Sequence, residues 1–281
     1  MPASTIFRIV KMVSRVYFGP MQLSDRQLDR LDEDGYLVLP GLFSKREVEV
    51  VRRRLPGLMA EPHPGNIIEK SSGLVRTAMG LHARDEVLNV FVRHPRLIDP
   101  AMQVLGEPFY IQQVKVNIKG AFNGEPWQWH CDFATHHRED GVEQPLALNL
   151  HVFLDEVTEF NGPLYFIPGS HKKGLAGAWL DTESTSYPLW VAGHERVRDL
   201  ANESGLFSAT GGPGTALIFH DTLLHASGSN ISPWDRSIFS LIVNPVSNAG
   251  RNPTRPEFKH HRDLTAVEAV EDDCLNPWVQ R

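Results

Sequence analysis

The residues best placed to do chemistry lie in Trp127-Gln128-Trp129-His130-Cys131-Asp132-Phe133, where one residue separates a histidine from an aspartate. On a β-strand, positions i and i+2 project from one face about 7 Å apart, so His130 and Asp132 can grip one cation together. Two protein ligands rarely complete a metal site. His225 offers a third, within Leu223-Leu224-His225-Ala226-Ser227-Gly228-Ser229-Asn230. One carboxylate and two imidazoles on adjacent corners of an octahedron form the facial triad of non-haem Fe(II) oxygenases, which leaves three positions open for substrates. The chemistry implied is that of an iron enzyme.

His-X-Asp alone says little, because three-residue patterns arise by chance. A strand context and a second His followed by an Arg give it weight. Arg236 stands eleven residues after His225, beyond the turn-rich Ser227-Gly228-Ser229-Asn230-Ile231-Ser232-Pro233. A His ending one strand and an Arg opening the next can point into one cavity, and a guanidinium matches a carboxylate with two parallel hydrogen bonds that a lysine cannot reproduce. His220, in Phe219-His220-Asp221, rivals His225; three facial donors favour His225. His171, in the turn Pro168-Gly169-Ser170-His171, is expected to hold the turn. Trp127 and Trp129 are expected to pack in the core rather than stack on substrate.

The elements that must position these residues change character along the chain. Ser24 to Leu31 reads as a short helix capped by Ser24 and closed by Gly35, followed by a strand at 36–39. Val48, Val51, Leu55 and Leu58 fall at helical spacing, with Pro56 able to end that helix early. A second helical stretch, 87–105, is interrupted at Pro95 and Pro100, with Val90, Val92, Leu97 and Met102 facing inward. Strands then follow one another at 109–118, at the metal motif, and at 147–154, 163–167, 215–219 and 237–243. Without crossover helices, antiparallel pairing is favoured. The polar segment 172–206 lacks a clean period and is expected to be a lid insertion. Residues 21–266 form the expected domain and 267–281 a C-terminal tail.

Composition narrows the class. A chain of 281 residues with 22 Gly and 20 Pro suits one fold of many short strands and turns. A net charge of −6 with both signs interspersed gives no basic stripe that would call for nucleic acid, and no apolar run is long enough for a membrane span. Two cysteines, Cys131 and Cys274, suit a reducing, cytoplasmic setting that also suits ferrous iron. Residues 1–20, with Arg8, Lys11 and Arg15 and no acid, read as an extension or a targeting segment.

At these residues the sequence resembles the phytanoyl-CoA dioxygenase superfamily of Fe(II)/2-oxoglutarate oxygenases. It is most similar there to the hydroxylases of ectoine and of free proline and leucine. The likeness extends over most of 21–266, through Val75-Arg76, Val92-Arg93-His94-Pro95-Arg96-Leu97, Gln113-Val114-Lys115-Val116-Asn117, Glu139-Asp140-Gly141, Val157-Thr158-Glu159-Phe160-Asn161-Gly162-Pro163 and Arg255-Pro256-Glu257-Phe258. The resemblance implies a mainly β fold, a double-stranded β-helix (jelly-roll, cupin-like) with flanking N-terminal α-helices. It also implies His130, Asp132 and His225 as iron ligands, and Arg236 holding the distal carboxylate of 2-oxoglutarate beside Ser227 and Asn117. Gln113, Arg76 and Trp129 become candidate substrate contacts. His136 stands where those relatives commonly carry Trp, so the substrate wall differs.

The activity this resemblance implies couples decarboxylation of 2-oxoglutarate by O2, giving succinate and CO2, to hydroxylation of an aliphatic C–H in a small-molecule substrate. Relatives that halogenate have a small residue where Asp132 stands, which favours hydroxylation here. The alternatives are the same cofactor chemistry ending in desaturation, epoxidation or cyclisation of a natural product, and a non-enzymatic metal-binding cupin. The expected assembly is a monomer or homodimer.

Overall fold

The computed structural model describes residues 21–174 and 177–279; the expected extension or targeting segment at 1–20 lies outside the described residues. Helix α1 (Asp25–Asp34) starts with a reciprocal capping box between Ser24 and Gln27 and ends at Gly35 in the left-handed region. Strand β1 (Tyr36–Leu39) follows. The 44–58 helix divides into α2 (Lys45–Arg52) and α3 (Leu55–Ala60), with Pro56 in the first turn of α3, where a missing N–H is tolerated. Beyond the hairpin of β2 (Asn66–Ile68) and β3 (Val75–Met79), the 87–105 stretch likewise divides, into α4 (Glu86–Phe91) and α5 (Pro95–Leu105). Pro95 opens α5, and Pro100 is accommodated inside it. Val92 and Leu97 are buried, while Val90 and Met102 pack partly buried against the same cluster.

The strands that build the barrel come next. They are β4 (Phe109–Lys119), β5 (Trp127–His130), β6 (Leu148–Phe153), β7 (Leu164–Phe166), β8 (Trp179–Asp181), β9 (Leu189–Val191), β10 (Phe207–Ala209), β11 (Ala216–His220), β12 (His225–Ser227) and β13 (Arg236–Pro245). A seven-stranded sheet runs β1-β11-β6-β13-β4-β3-β2, and a four-stranded sheet runs β10-β7-β12-β5. Neighbouring strands pair antiparallel, and the two sheets make the expected jelly roll.

Period-2 alternation gives the large sheet two distinct faces. Val114, Val116, Leu148, Leu150, Val152, Phe239, Leu241 and Val243 join the buried helical residues in one apolar cluster. Phe153, Leu217, Phe219 and Ile238 point the other way and pack with Leu164 and Phe166 of the small sheet. The intervening inner positions, Gln113, Lys115, Asn117, Asn149, His151 and Ser240, are polar and face the cavity side, between the two sheets.

One expectation needs correction. Asp132 is not on the metal-motif strand: β5 stops at His130, Cys131 is the extended N-cap, and Asp132 opens helix α6 (Asp132–Asp140). An acid in the first turn suits the positive end of the helix, and the Phe133 N–H donates to Asp221 O at 3.1 Å, which ties the turn down. Residues 172–206, the expected lid insertion, hold the β8-β9 hairpin and helix α7 (His194–Ser204). The segment after residue 266 packs back on the protein. It crosses the barrel, with Val267 N–H bonded to Phe109 O, Val270 N–H to Arg93 O, and helix α8 (Asn276–Val279) at its close. Among the described residues no helix is long and apolar enough to cross a membrane.

Candidate metal and co-substrate site

Register brings the distant histidine to the motif. In the β5–β12 ladder His225 lies directly across from His130, and their ring centroids are 4.1 Å apart. Each Nδ1 faces a backbone carbonyl two residues back, His130 to Gln128 O at 2.6 Å and His225 to Leu223 O at 2.9 Å. A carbonyl can only accept, so both Nδ1 atoms carry the proton and both Nε2 lone pairs are left for a metal, the arrangement in which outer hydrogen bonds orient histidine ligands. His130 Nε2 is 3.7 Å from Asp132 Oδ1, and His225 Nε2 is 3.9 Å from Asp132 Oδ2. The three groups are buried, and their ligand atoms lie within 4.8 Å of one another. This donor set fits a facial triad for Fe(II). Burial, reinforced by the neighbouring His225, pushes His130 down to about 3, so it is neutral at physiological pH. Burial alone would raise Asp132, but His225, Lys115 and His130 overcome it and hold the carboxylate well below its usual range.

Arg236 opens β13 fully buried. Its guanidinium donates to Gly162 O and, at 2.9 Å, to Ser227 Oγ, two residues beyond His225. Ser227 in turn donates to Gly162 O at 2.9 Å. Gly162 has φ +74°, and a Cβ there would come within 2.5 Å of Gly228 O and 2.7 Å of Lys119 Cδ, so only glycine brings this carbonyl up to the arginine. Among the described residues no carboxylate forms an ion pair with Arg236. Burial pushes it down to about 9, only partly offset by Asp155, yet it remains charged at neutral pH. A buried guanidinium without an anion is electrostatically incomplete, and an incoming carboxylate would complete it.

Arg76, expected as a substrate clamp, is engaged through its terminal nitrogens, while its buried Nε has no partner. It pairs with Glu125 at 2.8 Å and Glu69 at 3.8 Å, donates to Pro126 O, and lies 4.0 Å over the Trp127 ring. His136 Nδ1 hydrogen-bonds Asp221 Oδ2 at 3.2 Å with both side chains buried, which ties α6 to the segment after β11. Asn117 Oδ1 accepts from Thr77 at 3.0 Å, and the Gln113 amide nitrogen donates to Lys259 O at 2.7 Å. Trp129 is half-buried; its carbonyl accepts from Ala192 of the insertion at 2.8 Å, and Trp127 meets Tyr187 of the same insertion edge-on at 5.2 Å. His220 and His171 stack on each other at 5.0 Å, apart from the triad, and His171 holds Asp32 O. Lys115, Asn149 and His151 were not singled out from the sequence. Period 2 along β4 and β6 is the signal that could have found them.

The sequence profile of the phytanoyl-CoA dioxygenase (PhyH) family matches residues 31–238. The chain belongs to that family. It is 38% identical to L-proline trans-4-hydroxylase of Streptomyces griseoviridis over 88% of this chain and 96% of that one. It is 34% identical to ectoine dioxygenase of Sphingopyxis alaskensis, over 94% and 91%. The crystal structure of EctD from S. alaskensis with 2-oxoglutarate and 5-hydroxyectoine superposes with a TM-score of 0.77 at 34% identity, covering 91% of each chain. Like its family relatives, this PhyH protein is an Fe(II)- and 2-oxoglutarate-dependent dioxygenase acting on a small molecule.

Proposed function

We propose that this PhyH enzyme hydroxylates an unactivated C–H of a free amino acid or amino-acid-derived solute, with His130, Asp132 and His225 holding the iron and Arg236 seating the distal carboxylate of 2-oxoglutarate. The observation that carries this reading is the pairing, along β12, of a three-donor cluster with a buried guanidinium that lacks an anion. L-proline trans-4-hydroxylase and ectoine dioxygenase, both similar along nearly their whole length, support the substrate class.

Bound iron with 2-oxoglutarate and O2 supplies the oxidation, turning the co-substrate to succinate and CO2 and placing one oxygen atom on the substrate. The chain's own work is orientation. Asp132 occupies a corner of the triad that a halide would need, which favours hydroxylation. Ser227 and Gly162 hold the Arg236 fork in one plane, fixing the far end of the co-substrate. Gln113, whose amide oxygen accepts nothing from the described residues, is left for the substrate. The insertion 172–206 covers β5 and delivers Tyr187 against Trp127, which keeps water from the reacting face. Two free cysteines suit a cytoplasmic enzyme, and a monomer or homodimer is the proposed assembly.

The test incubates the protein with Fe(II), ascorbate and 2-oxoglutarate in air across L-amino acids, ectoine and small peptidyl intermediates. Succinate should form together with a product heavier by one oxygen atom. Absence of succinate with every compound would overturn the assignment.

A further inference from the structure

The inner wall of the large sheet carries polar groups that the triad and Arg236 do not use. Ladder register places them side by side: Lys115 opposite Ser240 opposite His151, and Gln113 opposite Ile242 opposite Asn149. Residues facing each other across a ladder project to the same side, and on that side His151 meets Phe219, which in turn meets His225 of the triad. Lys115, half-buried on β4, makes no hydrogen bond or ion pair with the described residues. Both side-chain atoms of Asn149, fully buried, lack a partner. His151 is buried, with Nε2 on Ser240 Oγ at 2.8 Å and Nδ1 unpartnered.

The neighbouring buried cations are treated differently. Lys119, four residues further along β4 on the same face, is satisfied by Glu125 O at 2.7 Å and Gly228 O at 2.6 Å. Arg255 grips Asp140 through two hydrogen bonds, with His260 at 3.1 Å on the same carboxylate. A fold able to satisfy those groups has left an ammonium, an amide and an imidazole nitrogen unspent on one wall, and buried polar atoms without partners, here those of Asn149 and His151, cost stability unless a ligand meets them.

Resting on the dioxygenase reading above, we infer that Lys115, Asn149 and His151 form a second carboxylate subsite, distinct from the Arg236 subsite and facing the metal from the large sheet. The anion it takes is the carboxylate of the amino-acid substrate or the keto-acid end of 2-oxoglutarate. Lys115 supplies the charge, Asn149 a directional N–H, and His151 its free nitrogen. In the first case the enzyme requires a substrate with a free carboxylate, and an amide of the same compound is rejected.

The experiment compares wild type, Lys115→Met and Lys115→Arg, each loaded with Fe(II) without oxygen. Each is titrated by calorimetry with 2-oxoglutarate and then, saturated with it, with L-proline, ectoine and prolinamide. Lys115→Met should keep or raise Tm, since it removes an unpaired ammonium, and should lose at least tenfold in affinity in one titration, with Lys115→Arg partly restoring it. Loss in the 2-oxoglutarate titration assigns the subsite to the co-substrate. Loss with proline or ectoine, while 2-oxoglutarate binds within twofold of wild type, assigns it to the substrate. Lys115→Met matching wild type throughout, including the case where neither protein binds a second ligand, overturns the subsite while leaving the dioxygenase reading intact. A lowered Tm shared with Lys115→Arg also overturns it, because that marks a packing role. Wild type that binds no 2-oxoglutarate fails the dioxygenase reading itself.

Discussion

The two faces of the large sheet use the same strands for opposite purposes. On the helix side Val114, Val116, Leu150 and Leu241 are buried in a continuous apolar cluster. One residue away along the same strands, Lys115, Asn117, Asn149, His151 and Ser240 face the cavity with several hydrogen-bonding atoms unmet. The helix side stabilises the fold. The cavity side spends part of that stability on groups that await ligands, a trade expected where binding sites are preorganised.

The widest separation between the faces should come from the metal ligands. Asp132→Ala should abolish iron-dependent succinate formation and leave less than one equivalent of iron after gel filtration, while circular dichroism remains that of a folded barrel. Full metal content in that variant would place the iron elsewhere. The converse change is Leu241→Ala on β13, which should cost about 2–5 kcal/mol in urea unfolding through cavity formation. Its 2-oxoglutarate affinity should stay unchanged if the two faces are energetically separate.

Much of the framework behind this division was legible in the sequence, because it rests on local pattern. Ser24 and Gly35 marked α1, and the runs at 109–118 and 237–243 marked β4 and β13 as strands, although which of their residues face inward was not read. His130, Asp132 and His225 could be grouped from ligand chemistry alone, although the helical start at Asp132 could not. A single acid after an extended residue fits a strand and a helix N-terminus equally well. The insertion was illegible for a different reason: β8 and β9 are three residues each, and α7 buries only Leu200, so no apolar period marks them. Pairing was hidden too. Nothing local to Arg76 reveals that Glu69 and Glu125 surround it, and the C-terminal segment is held by contacts such as Arg96–Asp272 that leave no hydrophobic pattern.

A pH titration sharpens the contrast between buried groups that await a ligand and those that do not. His82 is buried beside His261 at 4.6 Å, away from the triad, with both ring nitrogens unpartnered; burial, and then His261, push it down to about 4. The unfolded chain takes that proton near 6.5 and the folded chain only near 4. Between these values the unfolded state therefore binds more protons, and stability falls as pH drops. The full effect of this group is about 3 kcal/mol. His82→Phe should flatten the stability profile across that window, as read by urea unfolding at stepped pH. An unchanged slope would show that His82 titrates normally.

The smallest expected effect is the most diagnostic for the cavity side. Arg236→Lys keeps the charge but removes the planar fork that Ser227 and Gly162 hold in place. A lysine can offer the distal carboxylate of 2-oxoglutarate a point charge but not two parallel hydrogen bonds. Affinity should therefore fall by about 2 kcal/mol or more, roughly thirtyfold. Calorimetry on the Fe(II)-loaded, oxygen-free protein reads this directly, with Leu241→Ala as the control for general loosening of β13. Both variants lie on the same strand, five residues apart and on opposite faces. If Arg236→Lys binds 2-oxoglutarate like wild type, the guanidinium is a structural group bonded to Gly162 and Ser227, and the co-substrate's far end is seated by another cation. Lys115 would then be the first to test, since it alone among the lysines and arginines of the inner β4 and β13 positions has no partner among the described residues.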